Sequence, residues 1–600
     1  MDKNESTTDL ILDDDVLEVE QPERREWKNP MVSVASFFLL TDLFERFAYY
    51  SMTGSLITFF TRELGLETNL ATQIQSTFQS VVYVAPLAGA YLADATLGRF
   101  KTLLYAYVLY VVGAVVMTIA SIPSFNNSVL YFIGLIALFG VGSGAIKPNL
   151  IVLGGDQFDE TIEKQLAQKT SYFSYFYWCT NIAAFVAFSI MGGLATQGMG
   201  AIPQDSSFFW SFAISTVALI ASVGAFLLGS GRYYKPVPAG SALPTFMRVV
   251  GSGAKHTTKG KIVVISFIFE LVGMLVTIVS FFISTAWVSY LAAAFIVIGV
   301  LGLVGFGRTT EWLETARDDG HADDSVDDAR AVMRMMPYVA FIVIFWCVYN
   351  QMNGNFQAQG CQMNDYAMGY KWAPSQLSLF NTLGCLIFIP ICDALLYPGM
   401  NKCWPATSLR RVGIGFGVCV VAMLNAGFVE MARKSATVMS GPDGVSSCSP
   451  CNLTTKPCGT GETIKYMSDI SILVQIPQYF IVGVAEVFTA VTYYDLFYTE
   501  VPDSMRAVCQ AINMLTTSLG TMVGGTINSV LSDWLPNDLN NGHMDLVYFV
   551  IAGLGIVNLA VFMLVSPGFV YKHESAADDE SVAEDAVNKS RRASAHSLHQ

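Results

Sequence analysis

Fourteen apolar stretches recur along this chain, and each is long enough to cross a bilayer as a helix, which takes about 20 mostly apolar residues. Hydrophobic residues make up 53% of the 600 residues and charged residues only 14%, which is not the composition of a soluble protein. We therefore predict an all-α polytopic membrane protein. The stretches lie at 32–60, 76–95, 102–122, 129–153, 171–195, 208–230, 262–285, 287–307, 336–352, 377–397, 411–432, 469–498, 507–530 and 545–567.

Two of these stretches, 262–285 and 287–307, are joined by almost no loop and lie between two groups of six. They are predicted to form a helical hairpin inserted between two six-helix halves. Because the hairpin crosses the membrane twice, the second half keeps its orientation. The predicted organisation is an acidic cytoplasmic tail at 1–31, a six-helix bundle at 32–230, a linker with the hairpin at 231–335, a second six-helix bundle at 336–567 and a cytoplasmic tail at 568–600.

The distribution of Lys and Arg between loops supports this topology, because cytoplasmic loops carry an excess of both. The predicted outer loops at 123–128, 196–207 and 531–544 contain neither residue. No cleavable signal pattern opens the sequence, so both termini are expected in the cytoplasm. The predicted inner loops contain Arg99, Lys101, Arg232, Lys235, Arg248, Lys255, Lys259, Lys402, Arg410 and Arg411.

The net charge of −14 is concentrated outside the apolar stretches. Residues 1–30 hold ten acids and four bases, 309–335 hold eight acids and three bases, and 571–600 hold six acids and four bases. The membrane body is therefore nearly neutral, and the chain is expected to meet a lipid bilayer and no nucleic acid.

One predicted outer loop, 433–468, differs in kind from the others. It contains Cys448, Cys451 and Cys458 and the sequon that begins at Asn452, a combination typical of an oxidising, glycosylating compartment. No His or fourth Cys accompanies the three thiols in the loop, so a disulfide is favoured over a metal site, with one thiol left unassigned. The remaining eight cysteines are interpreted as small hydrophobic residues.

Three charges lie inside the first apolar stretch, within Thr41 to Tyr50. An ionisable residue at mid-membrane costs about 2.5–3.5 kcal/mol on insertion scales and needs partners or water. The helical repeat brings these charges onto one polar stripe, which we expect to face a wet cavity. The stripe consists of Asp42, Glu45, Arg46, Tyr49 and Thr53.

Other polar groups recur in the second, fourth and twelfth stretches. The second ends in a predicted latch at the inner surface that contains Gly89, Asp94, Gly98 and Arg99. The fourth contains Lys147 next to a proline, and the twelfth contains Glu486 near its midpoint. Each half thus has a carboxylate near mid-membrane, as expected for transporters whose site lies between repeats.

A structural ion pair between helices is the alternative for each of these charges taken singly. A channel would need rings of like groups or a filter loop, and a membrane enzyme would need a histidine or carboxylate metal cluster. The sequence shows neither, and no His lies inside a predicted span. The residues alone therefore predict an ion- or proton-coupled solute transporter, neither an enzyme nor a metalloprotein, and no cofactor.

The motifs resemble those of the proton-dependent oligopeptide transporter family of the major facilitator superfamily, from the first span to the last. The family pattern E-x-x-E-R-F-x-Y-Y corresponds to Asp42 to Tyr50, and the superfamily loop motif to Gly89 to Arg99. G-x-K-P-x corresponds to the stretch around Lys147, G-G-D-Q-F to the stretch around Asp156, and the second-half glutamate to Glu486. The segments 348–353 and 389–393 look closest to the fungal-type branch.

This resemblance implies a major facilitator fold and a symporter of di- and tripeptides driven by protons. Lys147 with Arg46 would bind the peptide carboxylate and Glu486 its ammonium, while Glu45 would carry the proton. The implied substrate-binding residues are Tyr49, Tyr83, Lys147, Asn181, Asn381 and Glu486. The implied proton-coupling residues are Asp42, Glu45, Arg46 and Lys147, and the implied gating motif is Gly89, Asp94, Gly98 and Arg99.

Departures from the family's pattern concern gating and side-chain preference more than the basic chemistry. Asp42 is one methylene shorter than the family's first acid. Four further positions differ. Thr53 stands where the family has an additional arginine, and Asn350 where it has the acid that often pairs with that arginine. Ser76 replaces the histidine of animal members, and Asn513 replaces a tryptophan.

Two other functions remain open at this point. A transporter of nitrate or another small anion would use Lys147 and Arg46 but would leave Glu486 without a role. A nutrient sensor that binds without transporting would fit the long acidic tails but not the intact proton motif. The protein is expected to act as a monomer in the plasma membrane.

Overall fold

The computed structural model describes residues 27, 29–159, 161–238, 242–282, 286–307, 309–403, 405–451, 458 and 464–569. Within these residues the chain is almost entirely helical, as the apolar pattern predicts, because a backbone in lipid must satisfy its own hydrogen bonds. Asn452 lies outside the described residues, so its glycosylation stays a prediction.

The first nine α-helices form what we call the N-terminal group. They are α1 Ser36–Thr53, α2 Leu56–Arg62, α3 Thr68–Leu92, α4 Arg99–Ala120, α5 Ser128–Phe132, α6 Val141–Gly155, α7 Glu163–Val186, α8 Gly192–Gln197 and α9 Ser207–Gly229. Wider π-helical turns extend several of them, at Met31–Ala35, Ala93–Leu97, Ile133–Gly140 and Ala187–Met191.

Four helices follow in the linker: α10 Ala242–His256, α11 Thr258–Phe282, α12 Ala286–Phe306 and α13 Thr315–Asp318. The stretches predicted as a hairpin correspond to α11 and α12, which pack along each other. α12 also packs on α14 and α21 of the following group, which places the hairpin against the outside of that group.

The remaining helices form the C-terminal group. They are α14 Asp323–Asn350, α15 Asn355–Gly360, α16 Leu379–Ile391, α17 Tyr397–Cys403, α18 Ser408–Ser435, α19 Ile476–Glu486, α20 Thr492–Thr499, α21 Arg506–Val530 and α22 Met544–Val565. π-Helical turns lie at Cys392–Leu396 and Val487–Val491. The described residues include four short strands in the loops: β1 Met363–Asn364, β2 Tyr366–Ala367, β3 Tyr370–Lys371 and β4 Ser468–Ser471, with β1 parallel to β4 and β2 antiparallel to β3.

Ten helical segments of the described chain are long and apolar enough to cross a membrane. The other four predicted stretches also form helices, but the first is broken at Gly54 and Ser55 into α1 and α2. The two groups meet along α3 and α21, which pack against each other.

Two disulfides cover one end of the molecule, which we call the disulfide side; the opposite end, with α10, is the linker side. Cys451 pairs with Cys458, and Cys448 pairs with Cys361 at the end of α15. The interpretation of Cys361 as a small hydrophobic residue was therefore wrong. Nothing in the segment around Cys361 indicates a disulfide, because its partner thiol lies 87 positions away in the sequence.

Candidate functional site

A cavity of about 170 Å³ lies between the N-terminal and C-terminal groups, at the level where both contain buried polar residues. Its wall comes from α1, α3, α6 and α7 on one side and from α14, α16, α19 and α21 on the other. All six residues predicted to bind substrate line this one cavity: Tyr49, Tyr83, Lys147, Asn181, Asn381 and Glu486.

Lys147 supplies the positive charge of the cavity wall. Its Nζ atom lies 4.5 Å from the ring centre of Tyr49 and 4.5 Å from that of Tyr83, so two aromatic faces hold the ammonium by cation–π attraction. No carboxylate of the described residues lies within 4.0 Å of Nζ. The ammonium is therefore positioned by rings that leave its charge available to an anionic group in the cavity.

Glu486 supplies the negative charge from the opposite wall. Its Oε2 atom accepts a hydrogen bond from Asn381 Nδ2 at 3.3 Å and one from Cys385 Sγ at 3.3 Å. Both donors are on α16, which packs against α19 because Gly384 and Gly483 allow close approach of the two backbones. Cys385 lines the cavity too, and sequence reasoning missed it because a thiol in an apolar stretch resembles a packing residue.

Lys147 and Glu486 are therefore on corresponding helices, since α6 and α19 belong to the fourth spanning segment of their respective groups of six. One side chain of each sign faces the same cavity from opposite groups. Such an arrangement suits a ligand with two opposite charges at its ends.

The three charges of the first stretch lie behind the cavity wall. Arg46 Nε is 3.2 Å from Asp42 Oδ1 and 2.9 Å from Glu45 Oε2, and all three side chains are buried. The predicted stripe was therefore only half right. Of its members, the wall of the cavity in the described chain includes Tyr49 and Thr53, whereas the charged turn that precedes them packs between helices.

Two hydroxyl groups complete this buried cluster. Thr180 Oγ1 donates to Asp42 Oδ2 at 2.9 Å, and Tyr110 donates to Glu45 Oε1 at 3.0 Å. Thr180 also lines the cavity, so it connects the cluster with the cavity surface. Neither residue was predicted, although Thr180 adjoins Asn181 in the sequence and falls on a polar patch of α7.

The charge balance of this cluster indicates its chemistry. Two carboxylates share one guanidinium away from water, and the ammonium of Lys147 in the cavity wall is a second positive charge nearby. Lys147 is close enough to Glu45 and Arg46 to interact with both charges. A ligand carboxylate on Lys147 would therefore change the electrostatic environment of Glu45.

The predicted latch at the linker side is formed by one arginine and two carboxylates. Arg99 Nη1 lies 2.6 Å from Asp156 Oδ2, and Nη2 lies 3.3 Å from Asp94 Oδ1. Gly98 adopts φ +80°, the left-handed conformation that lets α4 begin directly after the π turn. A Cβ at Gly89 would come within 2.8 Å of the Ala145 backbone, so α3 approaches α6 too closely for a side chain there. The latch thus joins the ends of α3, α4 and α6.

Neutral contacts close the disulfide side of the cavity. Ser55 Oγ lies 3.0 Å from Ser375 Oγ, and Gln357 Nε2 donates to the Gly54 carbonyl at 3.0 Å. Deeper in the molecule, Asn350 Nδ2 donates to Ser76 Oγ at 3.0 Å. Ser76 and Asn350 are two of the positions at which the family pattern is not followed, so an uncharged pair bridges the two groups there.

Comparison with known proteins gives a consistent result. The family described as "PTR2: POT family" matches residues 100–541. Protein NRT1/PTR FAMILY 8.2 of Arabidopsis thaliana is 29% identical and covers 95% of this chain and 99% of its own length; NRT1/PTR FAMILY 8.3 of the same plant is 29% identical over 90% of this chain and 92% of its own.

Solved structures share the fold. One described as an autoinhibited POT family peptide transporter superposes with a TM-score of 0.71 at 24% identity, over 90% of this chain and 98% of its own. The POT family transporter PepTSo superposes with a TM-score of 0.70 at 22% identity, over the same shares.

Proposed function

The chain belongs to the POT family of transporters, and on that premise we propose that it is a proton-coupled symporter of di- and tripeptides. It is a multi-pass membrane protein and not an enzyme. In the proposed mechanism the N-terminal and C-terminal groups are the two halves that move relative to each other in alternating access.

The observation that carries the proposal is the pair of opposite charges across the cavity. A dipeptide is a zwitterion, and Lys147 with Glu486 supplies one complementary charge for each of its ends. Because the two side chains belong to different halves, a bound peptide links the halves and favours the closed arrangement. Arg46 would act on the carboxylate from behind Lys147, since it does not reach the cavity wall in the described chain.

Proton coupling is assigned to the cluster behind that wall. With the cavity empty, Lys147 contributes positive charge near Glu45 and favours its ionised form. A peptide carboxylate that occupies Lys147 compensates this charge, so Glu45 then favours its protonated form. Substrate and proton therefore bind together, with Asp42 kept in place by Arg46 and Thr180.

A transporter of nitrate or another small anion is the second candidate. It is favoured by the ammonium of Lys147, which has no carboxylate within 4.0 Å in the described chain, and by relatives named for both NRT1 and PTR. Against it stands Glu486, whose carboxylate on the opposite wall of the same cavity would repel an anion.

Proton flux into proteoliposomes that enclose a pH-sensitive dye separates these candidates. With a peptide symporter, dialanine acidifies the interior and nitrate does not. Glu486→Gln should abolish the peptide response, while Glu163→Gln, which neutralises an exposed acid on α7, should keep it. A nitrate response that persists in Glu486→Gln would establish the anion transporter, and binding of dialanine without proton flux would establish a sensor.

Orientation is part of the same proposal. We place the disulfide side outside the cell and both termini in the cytoplasm of a plasma-membrane protein, because disulfides persist in oxidising compartments. Glycosidase treatment should increase the gel mobility of the protein expressed in a glycosylating host, and Asn452→Gln should remove this shift. Labelling of an introduced tag in 433–447 from the cytoplasm would overturn the assignment.

A further inference from the structure

A basic segment without any acid runs through the linker from Arg232 to Lys261. Part of it is α10, which is amphipathic. Its apolar face, with Phe246, Val249 and Val250, is buried against α11, α13 and α14, whereas Arg248 and Lys255 are exposed on the opposite face. The exposed residues are seven positions apart, which brings them to one side of the helix.

The position of α11 defines the depth of this segment in the membrane. Lys259 and Lys261 are exposed in its first turn, and Ile265 and Ile268 are 48% and 49% exposed further along the same helix. The 25-residue helix α11 is predicted from its apolar sequence to enter the bilayer, and on that premise its exposed isoleucines face lipid tails. At 1.5 Å per residue, Lys261 lies roughly 6 Å from Ile265 towards the linker side, a distance that reaches the headgroup layer.

Three of these bases have no acidic partner in the described residues; Arg248 donates to Thr245 Oγ1 at 3.4 Å, and the fourth base, Lys255, lies near Asp319. In the part of the chain that the structure describes, no carboxylate lies within 4.0 Å of Arg248, Lys259 or Lys261. The neighbouring acids are used elsewhere: Asp319 contacts Ser252 and His256, and Glu314 pairs with Arg317 and Arg330.

We propose that Arg248, Lys255, Lys259 and Lys261, which we call the linker patch, bind the headgroups of anionic phospholipids in the adjoining leaflet. Each base near an anionic surface contributes about 1 kcal/mol. The three without an acidic partner, Arg248, Lys259 and Lys261, should therefore strengthen lipid association on the order of a hundredfold. The acidic N-terminal tail is a rival occupant of matching charge. The lipid is favoured because the patch continues into the first turn of α11, at the depth where phospholipid headgroups adjoin the helix.

The experiment compares the full-length protein in nanodiscs of phosphatidylcholine with nanodiscs in which about a third of the lipid is phosphatidylserine. Thermal midpoints and the number of retained lipids, counted by native mass spectrometry, are measured at low salt. For wild type, phosphatidylserine should raise the midpoint and be retained. The variant Arg248→Gln/Lys259→Gln/Lys261→Gln should lose both effects while keeping its midpoint in phosphatidylcholine.

A matched control removes the same charge from dispersed positions, with Lys101→Gln/Lys164→Gln/Lys402→Gln, three exposed lysines outside the patch. It should respond to phosphatidylserine as wild type does. If both triple variants lose the response to phosphatidylserine, the effect is one of net charge. If both keep it, the patch does not produce the effect. Either result overturns the proposal. Soluble glycerophosphoserine should produce no stabilisation, and a full effect from it would also contradict a surface site.

Deletion of residues 1–26 decides between lipid and tail. If lipid occupies the patch, the deletion leaves the response to phosphatidylserine unchanged. If the response emerges only after deletion, the tail is the occupant and the proposal is wrong. High salt should weaken the wild-type response, because exposed charges are screened beyond about 3 Å at 1 M ionic strength.

Discussion

The hydroxyl of Tyr110 donates a 3.0 Å hydrogen bond to Glu45 Oε1, between two side chains that are fully buried. The bond joins α4 to α1 at Oε1, whereas Arg46 contacts the other carboxylate oxygen, Oε2. Because Glu45 shares that guanidinium with Asp42, the tyrosine is a second source of stabilisation for its ionised form. Proton release from Glu45 should therefore depend on Tyr110.

Tyr110→Phe tests this dependence. A hydrogen bond to a charged group is worth about 1.5–3 kcal/mol, so its loss should weaken proton-driven accumulation of peptide on the order of ten- to a hundredfold. Exchange of peptide, which needs no net proton release, should persist. Uptake and counterflow in proteoliposomes measure both.

Tyr107→Phe is the matched control, because Tyr107 lies one turn away on α4, is equally buried and makes no hydrogen bond to Glu45 within the described chain. Its accumulation of peptide should match wild type. If both variants lower accumulation alike, the effect comes from packing of α4 and not from the bond to Glu45.

Much of the fold could be predicted from hydropathy, because spanning helices bury all their backbone groups internally and must be long and apolar. Hydropathy could not predict the features that depend on contacts between segments distant in the sequence. The break at Gly54 between α1 and α2, where a Cβ would meet the Phe188 ring at 3.2 Å, is set by packing against another helix. The bond between Cys361 and Cys448 depends on a loop folding back onto α15.

The cavity residues could be anticipated because charge is rare in membranes and each instance points inward. The distance of each charged side chain from the cavity surface was harder to predict from the sequence. A 3.6-residue repeat predicts a common direction for Asp42, Glu45 and Tyr49, yet only Tyr49 lines the cavity in the described chain. Towards the linker side, α1 diverges from the cavity surface, and no sequence pattern indicates where it does so. Tyr110 and Cys385 contribute single atoms to the site from otherwise apolar surroundings.

The two disulfides should differ in their effect on stability. A disulfide stabilises the folded state by lowering the entropy of the unfolded chain, and more so for a longer loop. The 87-residue separation of Cys361 and Cys448 corresponds to a stabilisation of about 4.6 kcal/mol, and the 7-residue separation of Cys451 and Cys458 to about 2.4 kcal/mol. Cys361→Ser/Cys448→Ser should therefore lower the thermal midpoint in detergent more than Cys451→Ser/Cys458→Ser. Peptide mapping without reduction should show the same two pairs, and a Cys448–Cys451 pair would contradict this assignment.

The seal on the disulfide side should open during transport. Ser55 and Ser375 belong to different groups and their hydroxyl oxygens are 3.0 Å apart, so Ser55→Cys/Ser375→Cys should cross-link on oxidation. Uptake should then stop, because the cross-linked seal cannot open. It should return after reduction of the cross-link. Thr118→Cys/Thr216→Cys is the control: these oxygens are 2.9 Å apart within the N-terminal group, and cross-linking there should leave uptake unchanged. Undiminished uptake by a fully cross-linked Ser55→Cys/Ser375→Cys protein would show that the seal does not open.

The final prediction concerns which end of a peptide each cavity charge recognises. If Glu486 binds the ammonium, wild type should prefer a free dipeptide over its N-acetylated form on the order of ten- to a hundredfold, since a charged hydrogen bond is worth about 1.5–3 kcal/mol. In Glu486→Gln the two peptides should bind almost equally, because the discriminating charge is gone.

Binding is measured instead of uptake, since either charge could also affect later steps of the cycle. Lys147→Gln should show the converse behaviour, losing discrimination against a C-terminally amidated dipeptide while still rejecting the acetylated one. Thr382→Val removes a cavity hydroxyl beside Asn381 without changing charge and should keep both preferences. Should Glu486→Gln retain the full preference for the free amine, the ammonium is bound elsewhere, and the 3.3 Å contact of Glu486 with Asn381 serves to hold α19 against α16.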